Sequence, residues 1–157
     1  MANPLCESLW ENYRAALAML AQTIGQFDDA GWRQRFDVPG AGDGYQTPLR
    51  VAQHTVDCLD YYFRTDTATP YPWGHRFGGS APSPEQMAGY LDEIQARIEA
   101  HFAGLSDAGL AAPYDAAAEH GRTRLGHYVY ALRHTMHHHG VLSLLALQAG
   151  YPESGWE

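Results

Sequence analysis

Leu132-Arg133-His134-Thr135-Met136-His137-His138-His139-Gly140-Val141-Leu142 places four of the chain's nine histidines within six residues. The surrounding stretch reads as one long, largely apolar helix. It begins near Thr123 and runs through Gly126 and Gly140 to about Gln148, with Gly150 and Pro152 as stop signals. At about 100° per residue, His134 and His138 stand about 40° apart, one turn above the other. That i,i+4 spacing lets two imidazoles on one helix close on a single metal ion. His137 lies about 60° to the other side of His134, and His139 points about 140° away from it. The run is therefore a pair, a near neighbour and an outlier.

Working outward, three more stretches carry the helical period. From Pro4 to about Phe27, the residues Trp10, Tyr13, Leu17, Leu20, Ile24 and Phe27 recur at intervals of three and four. Asp28-Asp29-Ala30-Gly31 closes this helix, and Pro39 to Gly44 reads as a loop. A second helix starts at Thr47-Pro48 and extends to about Arg64, with Val51, His54, Cys58 and Tyr61 on one face. A third opens on the capping-box spacing of Ser83 and Gln86, and its stripe is Met87, Leu91, Ile94, Ile98, Phe102 and Leu105. Thr65 to Pro82 holds three prolines and three glycines among aromatics, too long for a plain tether and suited to covering one end of a bundle. Ser106 to Arg122 reads as a mixed connector. No stretch shows strand alternation, so residues 1–157 read as a single all-α domain, a four-helix bundle.

Composition narrows the function. A net charge of -8, no lysine and no basic run leave little to neutralise phosphates, which argues against nucleic acid. Cys6 and Cys58 fall in different helices and form no CxxC, which favours free thiols in a reducing compartment. With no leader-like N-terminus and no apolar run of 18 residues, the expectation is a cytoplasmic protein with no membrane span.

Bundles build metal sites from side chains that project inward from facing helices. His54 is the one histidine centred on another amphipathic helix, so His54, His134 and His138 form a three-histidine set, the donor count of catalytic sites with an open position. Against this stands the commoner role of a buried histidine, a hydrogen-bonded core group. His127, two turns before His134, reads as a spare ligand, a capping-region histidine or an outer partner. Cys58, four residues after His54, offers a soft ligand, although a small buried hydrophobe is the commoner role for such a residue. Asp57 suits orienting a liganding imidazole, or equally a solvated helix surface. Tyr61, Trp73, His75 and Arg76 are the pocket residues expected to meet a substrate, while His120, before a glycine, has no expected role.

These residues resemble the DinB/YfiT-like superfamily, whose pattern has a histidine in the second helix and an Asn-His-x-x-His-His-Arg-Gly-Gln-like run in the fourth. The matching stretches here are Thr47 to His54, Arg133 to Val141, and the tail Leu147 to Pro152. The chain departs from the pattern at His139, in place of Arg, and at Val141, in place of Gln. The resemblance implies a DinB/YfiT-like four-helix bundle, often a homodimer, holding one divalent metal, zinc or nickel, through His54, His134 and His138. It also implies thiol chemistry, since the members with known activities are S-transferases that use a low-molecular-weight thiol and a thiol-dependent isomerase.

The leading expectation is thus a metal-dependent enzyme for a small-molecule substrate, S-transferase-like or hydrolase-like, with no general base yet identifiable. A non-catalytic metal or small-ligand binding or sensing bundle is the alternative. A purely structural bundle is the third reading.

Overall fold

The computed structural model describes residues 3–37, 45–114 and 122–156. The expected loop at Pro39 to Gly44, and His120, lie outside the described residues. Six α-helices are present among them: α1 (Pro4–Gly25), α2 (Asp29–Arg33), α3 (Pro48–Tyr62), α4 (Pro84–Ala103), α5 (Asp107–Ala111) and α6 (Arg124–Gln148). There is no strand among the described residues, only an isolated antiparallel bridge between Pro113 and Thr123.

The four long helices are those the periodicity predicts, and their starts follow from local chemistry. Thr47 Oγ1 accepts from Arg50 N–H at 3.2 Å, with Pro48 in the first turn, where a missing N–H costs nothing. Ser83 and Gln86 form a reciprocal capping box at the start of α4. Thr123 Oγ1 caps α6 through Gly126 N–H, also at 3.2 Å. The N-cap of α1, Asn3, makes no side-chain bond; the Asp107 carboxylate accepts from Leu5 and Cys6 N–H instead. That places a negative charge where the helix dipole favours one.

Two short helices stand where the sequence reads as a helix stop and as a mixed connector. Asp28 caps α2 by accepting from Gly31 N–H at 2.8 Å, and Ser106 caps α5 by accepting from Gly109 N–H at 3.0 Å. Each delivers one large apolar side chain to the core, Trp32 and Leu110. The Trp32 indole N–H donates to the Pro82 carbonyl at 2.9 Å, so burial leaves it satisfied.

Packing runs around a square: α1 lies against α4 and α6, and α3 lies against the same two neighbours, leaving α1 and α3 diagonal. Tyr13, Leu17, Leu20 and Ile24 of α1, Val51, Val56 and Leu59 of α3, and Met87, Leu91, Ile94 and Ile98 of α4 are fully shielded. Burying each such large side chain stabilises the fold by roughly 1.5–3 kcal/mol before entropy is counted. The inward face of α6 is different. It buries Leu142 and Leu145 but also His127, Thr135, His138 and His139. Buried imidazoles need partners, and α3 supplies a facing one.

Residues 65–82 wrap as a strap over the C-terminal end of α3. Trp73 stacks on Tyr61 with centroids 5.2 Å apart, and Tyr71 meets both rings edge-on. A single 3-10 turn, His75–Phe77, is bounded by Gly74 and Gly78 at φ 71° and 56°. Glycine alone adopts that left-handed backbone freely, so these positions, with Gly79 at φ 81°, shape how the strap doubles back. No helix among the described residues is long and apolar enough to cross a membrane.

Candidate metal centre

The α3–α6 contact brings His54 against the pair on α6. Its ring centroid lies 4.6 Å from that of His138 and 5.3 Å from that of His134. The His134 and His138 rings are 4.4 Å apart, with their Nε2 atoms at 3.1 Å. Two nitrogens sharing one tetrahedral ion, each about 2.0–2.1 Å from it, stand about 3.3 Å apart. The two α6 donors are therefore already spaced as a shared cation requires. His138 Nδ1 is buried with no hydrogen-bond partner among the described residues.

Burial varies across the three. His138 is 2% exposed, whereas His54 stands at the solvent-facing rim. Burial, reinforced by His134, His54 and His137, pushes the His138 pKa down to about 3. Burial lowers His54 as well. Both imidazoles are thus neutral near pH 7, the state in which a ring nitrogen has a lone pair to give.

Aromatic rings hold the imidazoles in place. Tyr45 stacks on His138 at 5.5 Å and 19°, and Tyr62 packs edge-on against His134 at 5.7 Å. Cys58, one turn along α3 from His54, puts its sulfur 3.8 Å from both His54 ring nitrogens. One donor atom from each of His54, Cys58 and His134 lies within 4.8 Å of the others. Burial, then Asp57, pushes the Cys58 thiol up to about 12.

A cavity of about 290 Å³ opens beside His54, lined by Tyr45, Arg50, Gln53, His54, Asp57, Trp73 and Gly74. Two of the expected pocket residues, Asp57 and Trp73, are therefore there, and Tyr61 of α3 stacks on Trp73 from the helix side. Asp57 is not a solvated carboxylate. It is buried, its pKa raised by desolvation and eased back by His75 and the Gly74 N–H, so it faces the strap.

His75 and Arg76 go elsewhere. They line a separate pocket with Asp60, Tyr90, Glu93 and Arg97, where Arg76 pairs with Glu93 and the His75 Nε2 lies 4.0 Å from Asp60. The strap turns at Gly74, which sends these side chains over the α3–α4 seam and away from α6. His127 is a core group: its Nε2 donates to the Tyr62 carbonyl at 3.1 Å, tying the end of α3 to the start of α6. His139 ties α6 to α1. The Thr23 hydroxyl donates to the Met19 carbonyl at 3.0 Å and accepts from His139 Nε2 at 3.1 Å.

Tyr45, Arg50 and Gln53 escape a sequence reading centred on histidines. Arg50 was discoverable, since it precedes His54 by four on the same helix. Tyr45 carries no such signal, because it precedes the cap of α3 and its stacking partner is on α6.

An all-helical bundle with imidazoles from two facing helices converging beside a cavity defines a class: a protein with a histidine- and cysteine-rich cluster in its core. The chain belongs to the DinB superfamily, whose family model matches residues 10–142. Its fold is similar to that of a DinB-like protein from Bacillus cereus ATCC 10987, with a TM-score of 0.73, 18% identity and 95% of each chain covered. No curated protein matches the chain.

Proposed function

We propose that the protein is a divalent-metal-dependent enzyme acting on a small molecule, with His54, His134 and His138 as the ligands of one ion, zinc or nickel. The observation that carries this reading is the meeting of His54 with the α6 pair at 4.6 and 5.3 Å, beside a cavity open to solvent. Borderline ions of this kind suit imidazole donors. When bound, such an ion lowers the pKa of a coordinated thiol or water and so supplies a nucleophile near neutral pH.

The chain's own residues then have distinct tasks. The turn of α6 sets the spacing of His134 and His138, and His54 on α3 lines the cavity beside them. Tyr45 and Tyr62 limit rotation of the imidazoles. Arg50 and Gln53 offer the cavity a cation and an amide, and Trp73 offers an aromatic wall. Those groups would orient a small polar substrate carrying a flat or apolar portion.

Protein purified without added metal should contain about one equivalent of a divalent ion per chain by elemental analysis. His134→Ala should lose it; a full equivalent in that variant would defeat the ligand assignment. An S-transferase is then separated from a hydrolase by whether consumption of an electrophilic probe requires an added low-molecular-weight thiol. A second reading, a binding or sensing bundle, draws on Cys58, because a fourth protein donor closes a site that catalysis leaves open.

A further inference from the structure

Cys58 is not an isolated thiol in a core. It follows His54 by one helical turn, just as His138 follows His134. Two i,i+4 donor pairs, one per helix, therefore face each other across the α3–α6 contact. Cys58 is 4% exposed, and its sulfur meets the two nitrogens of the His54 ring, each at 3.8 Å. A thiolate at about 2.3 Å and an imidazole nitrogen at about 2.0–2.1 Å from one tetrahedral ion stand about 3.5 Å apart. At 3.8 Å from both nitrogens the sulfur stands against the ring and not in line with either lone pair, so sharing an ion requires the solvent-facing His54 imidazole to turn about its side-chain bonds. His134 reaches the same point, its donor atom lying within 4.8 Å of those of His54 and Cys58.

We infer that Cys58 is a fourth protein ligand, so that a bound ion is held by three imidazoles and one thiolate rather than by histidines alone. The inference rests on the metal-site reading above and favours its second form, a binding or sensing bundle, because four protein donors leave no open position. Coordination breaks the S–H bond of Cys58: the proton leaves to solvent and the sulfur electron pair goes to the ion. At a pH where the imidazoles are already neutral, one proton is released for each ion bound. A thiolate donor also tilts the site toward softer ions. It makes any incoming small molecule compete with, or add to, a ligand the chain itself provides.

The test is titration of the metal-free full chain with Co²⁺ under reducing conditions, followed by its absorption spectrum. The expected result is an intense near-ultraviolet sulfur-to-cobalt charge-transfer band beside the weaker visible bands. Cys58→Ala should lose the intense band while still binding Co²⁺, and its Zn²⁺ affinity should fall by about tenfold or more. Cys6→Ala should keep the band, because Cys6 lies at the start of α1, where its backbone N–H donates to Asp107. Visible bands in the unmutated chain without the charge-transfer band would overturn the role of Cys58 and leave the three-histidine reading standing. No Co²⁺ binding to the unmutated chain would overturn both. The spectrum of the unmutated chain decides the matter even if the variant folds poorly.

Discussion

A metal at the centre of the α3–α6 contact must appear in the stability of the fold, and His54 is the residue that isolates the effect. An ion that binds only the folded chain stabilises it by RT ln(1 + [L]/Kd), about 2.7 kcal/mol when free Zn²⁺ exceeds its dissociation constant about a hundredfold. For a chain of 157 residues, 1 kcal/mol moves Tm by roughly 2–4 °C, so the expected rise is about 8 °C. His138 is a poor probe of this, because it is 2% exposed and its truncation opens a cavity with a cost of its own. His54 is solvent-facing, so His54→Ala should leave the metal-free protein within about 0.5 kcal/mol of its parent. The same change should abolish most of the Zn²⁺-dependent rise. The assay is thermal unfolding of both proteins after chelation, with and without added Zn²⁺. An equal rise in the two proteins, or none in the parent at saturating Zn²⁺, would refute the idea that α3 and α6 share an ion.

Asp60 anchors the strap: its buried carboxylate accepts from the Tyr71 hydroxyl at 2.5 Å and from Arg97. Asp60→Asn should cost about 1–3 kcal/mol and speed tryptic cleavage at Arg76; unchanged cleavage and an unchanged urea midpoint would show that the strap is held by its aromatics alone. A methyl group at Gly31 would overlap the Tyr151 hydroxyl, whose bond to Asp28 at 2.7 Å it would displace. Gly31→Ala should therefore cost about 1–3 kcal/mol, and much less in a Tyr151→Ala background; equal costs in the two backgrounds would count against the clash. Burial, aided by Arg124, lowers the pKa of His101, and burial lowers that of His139 against the pull of the Met19 carbonyl. Below about pH 6.5 the unfolded chain then binds more protons than the folded one, so stability is full above that pH and declines as pH falls through the window beneath it. The urea midpoint of the metal-free protein should accordingly drop between about pH 7.5 and 5.5, and a flat profile would contradict it.

What was legible in the sequence was whatever a single helix fixes by itself. The angle between His134 and His138 is set by the helical repeat, and the long helices announce themselves through their stripes and caps. The five-residue helices α2 and α5 are too short to show a period, although Asp28 and Ser106 cap them in the ordinary way. The positions of His75 and Arg76 within the strap are hidden for a different reason. The direction of the strap depends on its left-handed glycines, Gly74, Gly78 and Gly79, and on Asp60, and composition does not reveal which side of α3 the chain will take. That choice sends His75 and Arg76 to the α3–α4 seam while leaving Trp73 beside His54. Cys58 sits between these cases. Its spacing from His54 was visible, but spacing alone does not separate a donor from a small core residue. What separates them is what faces it: a second i,i+4 pair on α6, brought within reach by the apolar packing that also makes the bundle. In a fold of this kind the donors need no motif of their own beyond a shared face on each of two helices, because the same contact that buries the core sets their separation.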